Sequence, residues 1–550
     1  AITAGAGKME SGVMMGGRTF LGLFSECLEA LPKAAELSAP NKYSQHLPAF
    51  TSTYCLTSIH LHSEQEIDKQ GLVSSICKKL SGADITIGAC VPSTCTNEDV
   101  SAIATFVLCE AGCSGNSTST RCRRGIRALA SDIPAVVVTI FIVLVLVIVI
   151  TATVMDYTQH TNKKKEAMKL ETRGKKATRH VVTATRTGNS HERYKGHLMT
   201  GIIDRASLAV DTFLFIGAFL VGYNTFKHLR KNNGSKNWFL SCVHRYLRTM
   251  PLMMAAAAFC AFLLYHLGDG PVWMDFVGTY QNACRDNWWT NLINLQNFIH
   301  TDNMCLPHTW YSAVDFQLFL ISPFFIYLLY RWPRVGVALC GVLIVTSTTA
   351  SIMYTALHRM SSVPGVYDYV QDVYIKPHFR ISTYLAGILL GHYMVLKKDN
   401  IMKNKCDGRL GWLCCVACLL FAVFGLRVLK PSVQNAWRDA FNIGAPTIWC
   451  IGISWVVYAS VAGSGGLVTE FLSSSFFAPL GKLTFAAYIS HHPLQFVFFA
   501  SREESFDYNY FLMGYFFVGN LVFSFAVAAV LTLTIEIPFR NLERLFLGRI

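Results

Sequence analysis

Long apolar runs separated by short polar segments dominate the chain from residue 133 onward. About twenty consecutive apolar residues make a helix long enough to cross the hydrocarbon of a bilayer. Such runs fall at 133–154, 206–226, 250–267, 310–330, 335–355, 380–396, 410–429, 441–463, 479–499 and 511–535. Continuous helices are the predicted form, because backbone amides in lipid must pair within their own segment. The strands of a β-barrel would be shorter and would alternate. The first 130 residues hold no such run. The predicted fold is an all-α multipass membrane bundle behind an N-terminal disulfide-rich extracellular or lumenal domain.

Composition agrees with this picture. The chain is 52% hydrophobic and only 15% charged, where a soluble domain carries about 25% charged residues. That excludes a disordered chain and argues against an ordinary soluble enzyme. The net charge is +14. Nucleic-acid binding would gather such charge in one basic domain; here it sits beside the apolar spans, so no nucleic-acid partner is expected.

The basic loops fix an orientation through the positive-inside rule. Lys163, Lys164, Lys165, Lys169, Arg173, Lys175, Lys176 and Arg179 place the linker 155–205 in the cytosol. Lys227, Arg230, Lys231, Lys236, Arg245 and Arg248 do the same after the 206–226 span, and Arg540, Arg544 and Arg549 do so for the C-terminus. The 268–308 loop, with Asp269, Asp275, Asp286 and Asp302 against Arg285, is placed outside. One crossing does not fit: 155–205 and 227–248 are both basic, yet a single span separates them. Either 206–226 is re-entrant, or the first span is inverted, or a helix is missing between Gln159 and Arg205. The last is favoured.

Eight of the 18 cysteines precede residue 123: Cys27, Cys55, Cys77, Cys90, Cys95, Cys109, Cys113 and Cys122. An even count in a nearly neutral region with a sequon at Asn116 reads as a disulfide framework in an oxidising compartment, with Asn116 glycosylated. The pairing is open among 105 combinations. Zinc at Cys109 and Cys113 is the weaker alternative, since no second pair matches; no metal is expected. Cys284 and Cys305 are expected to close the outer loop, and the other eight to be buried thiols. The chain opens on Ala1, so the expectation is a removed leader or a trimmed start. The resulting location is a multipass protein of the secretory pathway, in the plasma membrane or endoplasmic reticulum, with the N-terminal domain outside and the C-terminus cytosolic.

From residue 206 a series of motifs runs in order. Asp211 sits in an apolar helix, and Arg245, Arg248 and Pro251 follow in an R-x-x-R-x-x-P spacing. Cys284, Trp288, Trp289, Cys305, Trp310 and Tyr311 mark the outer loop. Asp315 and Gln317, then Pro377, His378 and Arg380, lead to Tyr488, His491, His492 and Pro493. Glu536 and Pro538 close the series. In this order and spacing the chain resembles the acyltransferase type 3 family of membrane O-acyltransferases, closest to its animal branch known as nose resistant to fluoxetine. The cysteine-rich first 120 residues, notably Cys90 to Cys95, resemble that branch's extracellular domain. The resemblance implies acyl transfer from acyl-CoA, as co-substrate rather than bound cofactor, to a hydroxyl-bearing lipid or small-molecule acceptor. It also implies a helix before Asp211 that ends in a catalytic histidine. That helix is not visible; His197, in a short polar stretch, is no stand-in. A chain without it is expected to be inactive or nearly so.

The residues themselves allow the same chemistry. Arg245 and Arg248, at the cytosolic end of a span, suit the phosphates of an acyl donor, against the plain reading that they anchor to headgroups. Asp211, Asp315, Arg380 and Glu536 are intramembrane polar groups that should face the bundle interior. Either aspartate could pair with Arg380. His491 and His492, beside Pro493, suggest a polar cavity and are the remaining candidates for a base. The alternative is a non-enzymatic lipid or drug transport protein that binds through its outer domain.

Overall fold

The computed structural model describes residues 19–20, 52–61, 84–92, 95–110, 115–122, 132–140, 143, 205–232, 234–358, 369–397, 405–428, 435–502 and 510–547. The chain divides into two units. The first takes in residues 1–195, 259–282 and 493–524; the second takes in 196–258, 283–492 and 525–550.

The N-terminal part of the first unit is built on strands. β1 (Thr19–Phe20), β2 (Ser52–Leu61), β3 (Asp84–Pro92) and β4 (Gly115–Cys122) form one sheet in the order β1-β3-β2-β4. β-branched residues are frequent in β2 (Thr53, Thr57, Ile59) and β3 (Ile85, Thr86, Ile87, Val91), which suits strands. Cys55 lies opposite Cys122 in the antiparallel β2–β4 register, and the two form a disulfide. Cys90 is also disulfide-bonded. Cys95 is a free thiol, which corrects the expectation that all eight would pair. It immediately precedes a capping box at the start of helix α1 (Asn97–Glu110), where Thr96 and Asp99 bond to each other. Cys27, Cys77, Cys113 and the side chains of Cys109 and Asn116 lie outside the described residues. Tyr54, Leu56 and Cys90 form a small core that Val272 joins, and Arg121 pairs with Asp275. Part of the 268–308 loop therefore packs with this domain.

The rest is helical: α2 (Leu208–Lys231), α3 (Trp238–Phe262), α4 (Thr279–Leu292), α5 (Trp310–Arg331), α6 (Pro333–Leu357), α7 (Pro377–Leu396), α8 (Lys405–Val428), α9 (Asn435–Val461), α10 (Gly466–Leu472), α11 (Phe477–Ala500), α12 (Tyr510–Leu531) and α13 (Ile537–Leu547). Among the described residues, seven helical segments are long and apolar enough to cross a membrane: 208–231, 307–331, 333–357, 377–396, 408–425, 439–461 and 511–546. Seven of the ten expected spans correspond to these. Two others, 250–267 and 479–499, fall largely on α3 and α11. Those helices have the length but are not among the seven; α3 carries Arg245 and Arg248, and α11 carries His491, His492 and Gln495. Of the first expected span only 133–140 and 143 are described, and these are helical. The linker where a missing helix was expected, 155–204, lies outside the described residues.

Large apolar side chains on α6, among them Val335, Val342, Val345 and Met353, are exposed, as on a helix face that meets lipid rather than water. The centre of the second unit is the contact of α2 with α7. A Cβ on Gly387 would stand 2.3 Å from the carbonyl oxygen of Phe215, and one on Gly391 would stand 2.7 Å from the amide of Tyr223. Small residues permit this approach, as is common where helices pack in a membrane. Leu214, Ala218, Leu318, Ile326, Tyr384 and Ile388 fill the surrounding core. A second cluster of Leu252, Ala486, Ile489 and Ala528 joins α3, α11 and α12.

Candidate functional site

The close α2–α7 approach aligns the N-terminal turns of both helices. It brings Asp211 of α2 onto Arg380 of α7, with Nη1 at 2.8 and 3.0 Å from the two carboxylate oxygens. Arg380 Nε donates to the carbonyl of Tyr374 at 3.0 Å, and its guanidinium lies 4.1 Å from the Tyr374 ring centre. Asp211 is thus the partner of Arg380, and Asp315 is not.

Asp315, on α5, pairs with Arg245 of α3. The Arg245 guanidinium also lies 4.4 Å from the centre of the Phe319 ring. Of the two arginines predicted to receive donor phosphates, Arg245 is therefore held internally, while Arg248 is exposed. Glu536 ends a π-helical turn at 532–536, accepts from the Thr532 hydroxyl at 3.3 Å and faces Arg540 at 3.9 Å.

The two histidines of α11 meet a third from the outer loop. His308 stacks on His492 with ring centres 4.7 Å apart, and His491 meets it edge-on at 5.3 Å. His308 Nε2 donates to the carbonyl of Ile489 at 3.2 Å, while its Nδ1 is buried without a hydrogen-bond partner among the described residues. The Tyr488 hydroxyl donates to the His308 carbonyl. His491 Nδ1 donates to the Tyr488 carbonyl at 2.7 Å, so in the neutral tautomer this bond selects, Nε2 carries the lone pair. Tyr311 packs on Tyr488 at 5.8 Å and lies one helical turn before Asp315 on α5. Aromatic packing of Tyr488 and Tyr311 thus lies between the three histidines and the helix turn that carries the Arg245–Asp315 pair.

The loop that presents His308 is tightly specified. Cys284 and Cys305 form the expected disulfide. Leu306 is left-handed, at φ 53°, as are Asn294 and His300. A leucine there is strained, and buried amides hold it. Asn291 donates to the Thr309 hydroxyl at 2.8 Å, Gln296 to the Thr309 carbonyl at 3.1 Å, and Thr309 to the Leu306 carbonyl at 2.7 Å. Asn297 and Gln317 bond to each other, and Lys376 caps the Asn297 carbonyl at 2.9 Å. Partial burial pushes the Lys376 ammonium below its ordinary pKa. Sequence reasoning passed over His308. The available signal was its place between Cys305 and Trp310, after the amide-rich run from Asn291 to Asn297.

A helical multipass membrane protein with a disulfide-bonded N-terminal domain, a buried ion pair and a cluster of three histidines is the class these features define. A family described as an acyltransferase domain matches residues 180–537, and the N-terminal domain of nose resistant-to-fluoxetine proteins matches residues 5–104. The chain belongs to that acyltransferase family. It is 27% identical to nose resistant to fluoxetine protein 6 of Caenorhabditis elegans over 63% of this chain and 46% of that protein. It is 23% identical to regulator of hypoxia-inducible factor 1 of the same organism over 54% of this chain and 61% of that protein. The chain therefore spans about half the length of the curated relatives it matches. No solved structure matches it.

Proposed function

We propose that the protein carries the fold of an O-acyltransferase that moves an acyl group from cytosolic acyl-CoA to a hydroxyl acceptor on the outer side of the membrane. The observation that carries this reading is the set of contacts around Tyr488, which meets Tyr311 on one side and His308 and His491 on the other, on the helix faces that also carry the Arg245–Asp315 pair, with Arg248 exposed three residues beyond Arg245. In this scheme the exposed Arg248 takes a donor phosphate by charge-assisted bonds. Arg245 is neutralised by Asp315.

His491 Nε2 is the candidate base: it takes the proton of the acceptor hydroxyl as that oxygen attacks the thioester carbonyl. The carbon–sulfur bond breaks, and the leaving thiolate of CoA receives the proton. His308 and His492 exclude water around the ring and hold its orientation.

The packing of Val272 and Asp275 with the N-terminal domain supports placing that domain and the outer loop on the same side. The disulfides fit a secretory-pathway membrane. The Asn233-Gly234-Ser235 sequon is predicted to be cytosolic, and glycan addition at Asn233, read as a mobility shift removed by endoglycosidase, would refute the orientation.

Because His491 only replaces the histidine that the resemblance expects on a helix before Asp211, the chain as it stands is expected to turn over little or no acyl-CoA, and one with that helix restored between Gln159 and Arg205 is expected to be active. The test is release of free CoA thiol by both purified proteins. Absence of turnover in both sinks the enzymatic reading and leaves lipid uptake as the one to measure.

A further inference from the structure

A cavity of about 410 Å³ lies where α2, α5 and α7 end and α6 begins. Neither Arg245 nor Arg248 lines it, so it stands apart from the arginine assigned to the acyl donor.

Its wall is basic. Arg230, in the last turn of α2, and Arg331, the last residue of α5, both line it and are both exposed. Arg230 Nη1 donates to the Val395 carbonyl at 2.6 Å, which leaves its other N–H groups for a further acceptor. The Arg331 guanidinium lies 6.0 Å from the centre of the Trp332 ring. Among the described residues no carboxylate lines the cavity, and neither arginine forms an ion pair.

Two further features call for an anion. His392 of α7 lines the cavity at 7% exposure, with its ring 4.8 Å from that of Phe226. Its Nε2 is buried without a hydrogen-bond partner among the described residues, and a buried polar atom left unpaired is costly. Pro333, the first residue of α6, also lines the cavity, and the N-cap residue Trp332 makes no side-chain bond to the first-turn amides. The uncapped N-terminus of a 25-residue helix favours negative charge. The C-termini of α2, α5 and α7 carry fractional negative charge. Two full guanidinium charges and the α6 N-terminus outweigh them.

The opposite flank is apolar, formed by Phe226, Val395 and the exposed Leu396. Guanidinium forks match the oxygens of a phosphate, and a basic pocket between helix ends is the form that recognises a charged lipid headgroup. We propose that this cavity binds a phosphate group, carried by an anionic phospholipid of the adjoining leaflet or free in solution. The proposal stands whether or not the protein transfers acyl groups.

The test uses the full chain, purified in detergent and stripped of lipid. Equal amounts of phosphatidylglycerol and phosphatidylcholine are added, and the lipid retained is counted by native mass spectrometry. Equilibrium dialysis against labelled inorganic phosphate reads the free source. Retention of phosphatidylglycerol in preference to phosphatidylcholine, or saturable binding of phosphate, is expected. Arg331→Gln removes charge-assisted bonds at an exposed position and should weaken binding by about tenfold. His392→Phe keeps a ring beside Phe226 but removes its nitrogens, and should weaken binding as well. Arg334→Gln changes an exposed arginine of α6 that does not line the cavity and should leave binding unchanged. No binding of phosphate together with no preference between the lipids, undiminished binding by either folded cavity variant, or equal weakening by Arg334→Gln overturns the proposal.

Discussion

The buried Asp211–Arg380 pair gives the sharpest test of the packing. Asp211 is 1% exposed and the Arg380 side chain 8%. At 2.8 Å and an effective dielectric of about 20, the gross attraction is about 6 kcal/mol. Desolvation costs several kcal/mol per ion, so the net worth of the pair is near zero, whereas removing one partner costs about 3–5 kcal/mol. The two single variants should differ. Arg380→Met leaves a carboxylate that can take up a proton, but Asp211→Leu leaves a guanidinium that cannot lose one, so Asp211→Leu should be the worse. The double variant Asp211→Leu/Arg380→Met should recover to within about 1–2 kcal/mol of the parent. The assay is unfolding in detergent followed by fluorescence, with size-exclusion recovery after heating as a check. If the double variant loses the sum of the two single losses, the groups are not coupled and the reasoning fails.

Further outcomes follow from other contacts. Gly387→Leu should drive a side chain into the Phe215 carbonyl and part α2 from α7, costing about 1–3 kcal/mol or more, visible as lower recovery of folded protein after heating. Cys284→Ser should cost about 3 kcal/mol, from the chain entropy of a loop whose ends are 21 residues apart; an unchanged melting temperature in oxidising buffer would count against it. Thr309→Val removes the hydroxyl that receives Asn291 and should cost about 1–3 kcal/mol, with greater hydrogen exchange in 291–309 as the readout. Hydrogen bonds from the Thr96 amide and hydroxyl hold the Asp99 carboxyl below its ordinary pKa. Its stabilisation of α1 is therefore present above the unfolded carboxylate range and lost as pH falls through the lowered folded value. Protection factors over 97–110, taken against the intrinsic exchange rate at each pH, should fall at acid pH in the parent, and Asp99→Asn should flatten that fall.

The sequence by itself determined the elements set by local physics. Apolar length located the helices, because a bilayer requires about twenty apolar residues whatever the neighbours are. Motif order pointed to the family, and the spacing of Cys284 and Cys305 within one polar loop anticipated their bond. Asp211 and Arg380 stood out because ionisable groups in apolar runs are costly, but pattern alone could not choose between Asp211 and Asp315 as the partner. Only the tertiary structure decided that, through the glycines that bring α2 against α7 and leave Asp315 to Arg245. It also decided that the N-terminal domain contains a sheet, since strand pairing joins residues far apart in sequence. His308 belongs with His491 and His492 for the same reason: the loop that carries it is aimed by buried amides and a strained Leu306, and no local pattern records where a folded loop points.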